Sequence, residues 1–183
     1  MEKNKIQSEV MVHYKDIYAG TIDLLCGVPT ITTELKFDEE RHEYLLNGKK
    51  LPSVTKLLDN GEYNNVDPEV LNRARERGTE IHKELEEYFK EGKLGETKEF
   101  YEAISLLKQE QYKYLFEEPT IIDFKTYAEA SKKNKEKCLK QEKKYGKAVL
   151  ELTGIKIKNY VMVHLPKSKN GCIIILERED GNE

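Results

Sequence analysis

The sequence predicts an α/β (α+β) fold: a small mixed β-sheet flanked by helices, with a mostly helical segment between its second and third core strands. Three observations carry that prediction. The N-terminal stretch 7-QSEVMVHYKDIYAGTIDLLC-26 alternates apolar and polar residues on both sides of Lys15-Asp16-Ile17. The region from about 67 to 116 changes to a helical period. The C-terminal part reads as strand, helix, strand, strand.

The first stretch is a β-hairpin. With Tyr14 and Tyr18 closing the turn, an antiparallel register pairs Val12 with Gly20, Val10 with Ile22 and Glu9 with Asp23. The next segment, 31-ITTELKFDEERHEYLLNGKKLP-52, carries an Asn47-Gly48 turn signal and forms another small β element. Pro52-Ser53-Val54-Thr55 then starts a helix with Ser53 as its cap; contact with phosphate is the other use of Ser53 and Thr55.

Asp67-Pro68-Glu69 combines a cap, a first-turn proline and a first-turn acid. Two helices follow, roughly 68–91 and 96–115, separated by Glu91-Gly92-Lys93-Leu94-Gly95. A strand spans 118–126, and a lysine-rich helix near 129–153 stops at Gly154. Strands in 155–165 and 171–180 flank a Pro-Lys-Ser-Lys-Asn-Gly turn. The 183 residues therefore form a single domain with its core in 7–26 and 118–180 and an inserted or permuted segment in 30–117.

Composition removes several classes. No apolar run reaches membrane-spanning length and no secretory leader opens the chain, so the expected location is cytoplasmic and no membrane partner is expected. Cys26, Cys138 and Cys172 are far apart, which argues against a disulfide framework, a zinc knuckle or an iron–sulfur cluster and suits buried small hydrophobes. With a net charge of −3 and 36% charged residues, there is no global basic field, and a polyanion would need a local patch.

Candidate chemistry begins with Glu9 and Asp23. Two carboxylates facing each other across a hairpin are destabilising unless something positive lies between them, and a divalent cation serves, although a solvated sheet face carries such acids too. In 118-EPTIIDFKTY-127 the two-residue strand period puts Asp123 and Lys125 on one face and Ile122 and Phe124 on the other. One face would then present Glu9, Asp23, Asp123 and Lys125 together. Carboxylates at that density hold one or two metal ions that polarise a phosphoryl oxygen and acidify a bound water, while an ammonium positions the nucleophile or neutralises developing charge.

At these residues the sequence resembles the PD-(D/E)XK nuclease superfamily, in its RecB-like, Cas4-like and phage exonuclease-like branch. The branch's helical histidine, glutamate, G-x-x-D, (D/E)-x-K and Q-x-x-x-Y elements read here as 78-GTEIH-82, Glu9 in 8-SEV-10, 20-GTID-23, 123-DFK-125 and 141-QEKKY-145. The similarity covers roughly 7–26, 41–90 and 118–165, and 41-RHEYLLNGKKLPSVTKLL-58 resembles the opening segment of phage-type members. One feature departs from the branch: Glu9 and Asp23 precede His82, so the motif order is permuted.

The resemblance implies a restriction-endonuclease-like core and a Mg2+- or Mn2+-dependent deoxyribonuclease, a phage-type exonuclease or recombination or repair nuclease. Its partners would be DNA and other recombination or phage proteins. It implies Asp23 and Asp123 as principal metal ligands, with Glu9 and His82 completing or supporting the shell. Lys125 becomes the catalytic lysine, with Gln141 and Tyr145 orienting lysine, water or DNA. The other readings are a non-catalytic nucleic-acid-binding or protein-interaction module on the same fold, and an RNA-directed nuclease.

Competing assignments stay open at several positions. Glu34-Leu35-Lys36 also fits the spacing after Asp23, without the apolar strand that precedes Asp123. His82 shares a helical face with Leu85 and Phe89 and suits a structural histidine; His13, His42 and His164 are structural. Gln141 and Tyr145 share a face with Cys138, Ala148, Val149 and Leu152, where a buried glutamine needs a partner. The lysine run that includes Lys140 and Lys144 is either a solvated helix face or a set of phosphate contacts, as are Arg73, Arg75 and Arg77.

Overall fold

The computed structural model describes residues 5–59, 61 and 65–179. The hairpin forms in the register that the alternation dictates. Strands β1 (Lys5–Tyr14) and β2 (Tyr18–Val28) run antiparallel, with Val12 opposite Gly20 and Val10 opposite Ile22. The turn closes through the Ile17 N–H, which donates to the Tyr14 carbonyl at 3.0 Å.

Three short strands, β3 (Leu35–Asp38), β4 (Glu43–Leu46) and β5 (Lys49–Leu51), form a separate antiparallel sheet. Asn47 and Gly48 turn β4 into β5 with φ of 50° and 80°, the doubly left-handed turn that the Asn-Gly pair favours. Leu35, Tyr44 and Leu51 pack this sheet onto Ala19 of β2. Ser53 caps the one-turn helix α1 (Val54–Leu57) by accepting the Lys56 N–H at 3.1 Å.

Helix α2 (Pro68–Glu91) begins at its Asp67 cap and ends at Gly92, whose φ is 72°. Helix α3 (Lys98–Leu107) begins where Thr97 accepts the Phe100 N–H. The helix expected over 96–115 is shorter than its pattern suggests. Residues 108–111 read Lys-Gln-Glu-Gln and offer no apolar face to hold a helix against the core. The chain makes a 3-10 turn over Glu110–Tyr112 and a one-turn helix α4 (Tyr114–Glu117), which returns Leu115 to full burial.

Strand β6 (Thr120–Lys125) then pairs antiparallel with β2, and helix α5 (Lys132–Thr153) leads to β7 (Asn159–His164), parallel to β6. The parallel pair needs that crossover helix. Strand β8 (Cys172–Arg178) closes an antiparallel edge, and the main sheet has the order β1-β2-β6-β7-β8.

The sheet is mixed and flanked by helices on both faces. On one side Val10, Ile22, Leu25 and Ile121 pack against Tyr145, Ala148 and Val149 of α5. On the other, Leu24, Ile122, Phe124 and Val163 pack against Ile81 and Leu85 of α2 and Phe100 and Ala103 of α3. Burying both faces suits β6, whose Ile121, Ile122 and Phe124 are all buried. Among the described residues, no helix is long and apolar enough to cross a membrane.

Candidate functional site

The candidate site lies where β2 parts from β6. Leu24 still pairs with Ile122, but one step further the backbone ladder stops. There the Asp23 side chain takes over: its Oδ2 accepts the Phe124 N–H at 2.9 Å. Beyond that point β6 continues along β7 as far as Lys125, paired with His164. Asp23 and Asp123 therefore end up side by side at an opening in the sheet.

Glu9 lies at the same level on β1, between the Ser8–Leu24 and Val10–Ile22 pairs. Its φ of 51° is left-handed, a conformation that costs a non-glycine residue on the order of 1 kcal/mol or more and clusters at functional positions. Burial, with Asp23 and Glu86 nearby, pushes its carboxyl up to about 7.

His82 of α2 reaches the opening from the other side. Its Nδ1 donates to the Gly78 carbonyl at 2.7 Å, and Nε2 stands 3.1 Å from Asp23 Oδ2. With an acceptor at each ring nitrogen, the doubly protonated ring fits best. Burial opposes that charge, but the Asp23 carboxylate outweighs it and raises the imidazole to about 9. Asp23 in turn is held well below the usual carboxylate range, because His82 overcomes the penalty of burial. In this arrangement His82 supports Asp23 as a donor.

Asp123 and Lys125 share the face towards α5, as the strand period requires. Lys125 Nζ is 3.3 Å from Asp123 Oδ2 and donates to Gln141 Oε1 at 2.8 Å. Gln141 Nε2 donates to the Tyr145 hydroxyl at 3.0 Å. Lys125 is thus aimed by a chain of two side chains on α5. Burial disfavours its charge, yet Asp123 holds the ammonium well above its ordinary value. Asp123 is raised, first by burial and then by Asp23 beside it.

Gly20, the first residue of 20-GTID-23, has a packing reason. A Cβ there would fall 2.4 Å from Cε1 of Tyr145, so only glycine lets the tyrosine ring lie over the hairpin and hold Gln141.

Two further residues belong to this neighbourhood. Glu142 is wholly buried, neither of its carboxyl oxygens has a hydrogen-bond partner, and its donor atoms lie within 4.8 Å of those of Asp123 and Cys138. Burial, and then the neighbouring Asp123 carboxylate, raise its carboxyl well above the usual range, against the opposing pull of Lys125 and the Val161 amide. The signal was present in the sequence: Glu142 is four residues after Cys138 and three before Tyr145, an acid within the buried stripe of the helix.

The cationic candidates separate. Arg77 is committed internally, donating to Glu99 at 2.9 Å and to the Leu165 carbonyl at 3.0 Å. Arg73 is exposed and 3.7 Å from Glu69; Arg75 and Lys140 are exposed as well. Lys144 lies over the Tyr18 ring at 5.1 Å. The alternative pair Glu34 and Lys36 is exposed at the separate three-stranded sheet.

Among the described residues, the three side chains whose metal-ligating atoms all lie within 4.8 Å of one another are Asp123, Cys138 and Glu142, and Asp23 and Glu9 stand outside that group. Asp23, Asp123 and Glu9 supply carboxylate oxygens, and the contacts of Asp23 with His82 and Phe124 both fall on Oδ2, leaving Oδ1 outside them. With Glu142 counted, four carboxyls face two cationic groups, Lys125 and His82, and three of the four are held in the proton-retaining direction. A bound Mg2+ or Mn2+ would replace those protons. The chain matches no family model, and no curated protein or solved structure is detectably similar to it.

Proposed function

We propose that the protein is a metal-dependent DNA nuclease of the PD-(D/E)XK type, hydrolysing phosphodiester bonds as a phage-type exonuclease or a recombination or repair nuclease. The observation that carries this reading is the meeting of Asp23, Asp123 and a Gln141-aimed Lys125 at one opening in the sheet. Asp23 comes from β2 and Asp123 and Lys125 from β6, far apart in sequence, and the strand pairing that Asp23 completes gives no reason to set a second carboxylate and an aimed lysine beside it.

Asp23 and Asp123, with Glu9 beside them, would hold Mg2+ or Mn2+. Such an ion, when bound, stabilises charge on a phosphoryl oxygen and acidifies a coordinated water. The chain's own residues do the rest. His82 keeps Asp23 ionised and fixes its orientation. Lys125, held charged and aimed by Gln141, places a positive charge where the attacking water and the phosphate meet. Tyr145 and Gly20 fix Gln141. The permuted motif order is compatible with this role, because the hairpin pairs with β6 of its own chain.

The test is cleavage of end-labelled linear and closed circular DNA with Mg2+, Mn2+ or EDTA, comparing wild type with Asp123→Ala. Metal-dependent cleavage that disappears in the variant is the expected result, and resistance of the circle assigns an end-dependent enzyme. Absence of cleavage in every condition would overturn the proposal in favour of a non-catalytic binding module.

A further inference from the structure

Among the described residues, Glu142 is the least explained group. It is a fully buried carboxyl with no hydrogen-bond partner on either oxygen, in a core where such groups are rare. Its surroundings are specific. Cys138, one helical turn before it on α5, contacts Asp123 Oδ2 with its sulfur at 3.8 Å. Asp123, Cys138 and Glu142 offer three donor atoms, all within 4.8 Å of one another and all from buried residues.

We propose that Asp123, Cys138 and Glu142 form a binding site for a thiophilic divalent cation, Zn2+ first, behind the Asp23–Lys125 centre. Donors at i and i+4 on one helix face are one turn apart and converge on a common point, and β6 supplies the third. Donor atoms of a tetrahedral zinc site lie roughly 3.5 Å apart, so small rotamer changes close the triangle. The sulfur selects against Mg2+, for which a thiolate is a poor ligand.

The charges balance. On binding, the protons of the Cys138 thiol and the Glu142 carboxyl, and any proton held by Asp123, are released to solvent as the sulfur–metal and oxygen–metal bonds form. Three anionic donors and a divalent ion leave one negative charge, which the Lys125 ammonium, 3.3 Å from Asp123, neutralises. A protein ligand count of three leaves one coordination position open, and Asp123 would be shared between this site and the opening beside Asp23.

Binding is measured without substrate, so the proposal does not depend on the hydrolytic reading. The full chain, stripped with chelator, is titrated with Cd2+ while the thiolate-to-metal charge-transfer band is followed, and Zn2+ is then used to displace it. The exposed Cys172 is removed by Cys172→Ser throughout; the buried Cys26 belongs to the core on the opposite sheet face and remains.

The expected result is one equivalent of Cd2+ producing the band, its loss in Cys138→Ser, and about tenfold or greater weakening in Glu142→Gln. Asp23→Ala retains the band. No band at saturating Cd2+, or a band that survives Cys138→Ser, overturns the proposal. If Cys138→Ser fails to fold, the near-isosteric Glu142→Gln decides, and unchanged affinity overturns it. Mg2+-dependent cleavage without a Cd2+ band leaves the nuclease reading standing and removes this site; a band without cleavage does the reverse.

Discussion

The Asp23 carboxylate occupies the place of a strand partner for Phe124, accepting its N–H at 2.9 Å where the β2–β6 ladder ends. An unpaired N–H at a sheet opening is costly, so the side chain that satisfies it also fixes how far the strands separate. The same oxygen meets His82 at 3.1 Å. Asp23 thereby joins the sheet to α2 and sets the width of the space shared with Asp123 and Lys125.

Lys125 and Lys36 distinguish the two D/E-x-K assignments. Under the proposed nuclease function, Lys125→Ala is expected to lower the metal-dependent cleavage rate by about 10²–10³-fold while leaving metal affinity nearly unchanged. Lys36→Ala, on the exposed face of the small sheet, leaves the rate at the wild-type value. Single-turnover cleavage with calorimetric metal titration reads both, and reversed outcomes would reassign the motif.

Gln141→Ala removes the acceptor that holds Lys125 Nζ at 2.8 Å. The expected effect is a fall of about 10-fold or more in kcat with metal binding preserved. A variant indistinguishable from wild type in kcat would show that Asp123 alone positions the lysine.

His82 predicts a pH dependence of stability. Its folded value, about 9, lies above its ordinary value of 6.5, so its contribution is fully present below about pH 6.5 and is lost as pH rises through about 9. The side chain keeps 32% of its surface exposed, and screening leaves about 1–2 kcal/mol. Urea denaturation from pH 6 to 10 should show that loss in wild type and not in His82→Gln; equal slopes would remove the imidazolium assignment.

Gly20→Ala places a Cβ 2.4 Å from the Tyr145 ring. The ring is buried, so the clash should cost about 1–3 kcal/mol and lower Tm by several degrees. Cleavage should fall further than stability explains, because Tyr145 holds Gln141. An unchanged Tm would mean that the ring moves freely.

Glu142→Leu replaces a partnerless buried carboxyl with an apolar side chain of similar size. In chelator-stripped protein it should stabilise by about 1–3 kcal/mol, visible as a rise in Tm, and it should abolish any stabilisation by Zn2+. A lower Tm without metal would reveal a favourable partner for the carboxyl.

Much of this molecule is written locally. The Tyr14–Tyr18 turn and the alternation around it set the hairpin register to the residue, because turn length and a period of two admit one pairing. Asp67 and Gly154 mark helix ends through cap chemistry that acts within a single turn. The shared face of Asp123 and Lys125 follows from strand geometry alone. What the sequence by itself determined is therefore most of the elements, the helix ends marked by caps, the register within the first hairpin and the residue types that reach its polar face.

The tertiary structure decided the rest, because each remaining feature depends on partners far away in sequence. The ladder break at Asp23 needs Phe124, 101 positions on. The internal commitment of Arg77 needs Glu99 and Leu165, and no local pattern distinguishes it from the exposed Arg75. The end of α3 at Leu107 was decided by where Leu115 finds a core to enter. The helical spacing from Cys138 and Tyr145 puts Glu142 in the buried stripe, but only the closing of the sheet leaves its carboxyl without a partner. Burial, which turns a solvated carboxyl into a partnerless one beside Asp123 and Cys138, is a property of the assembled layers and of no segment within them.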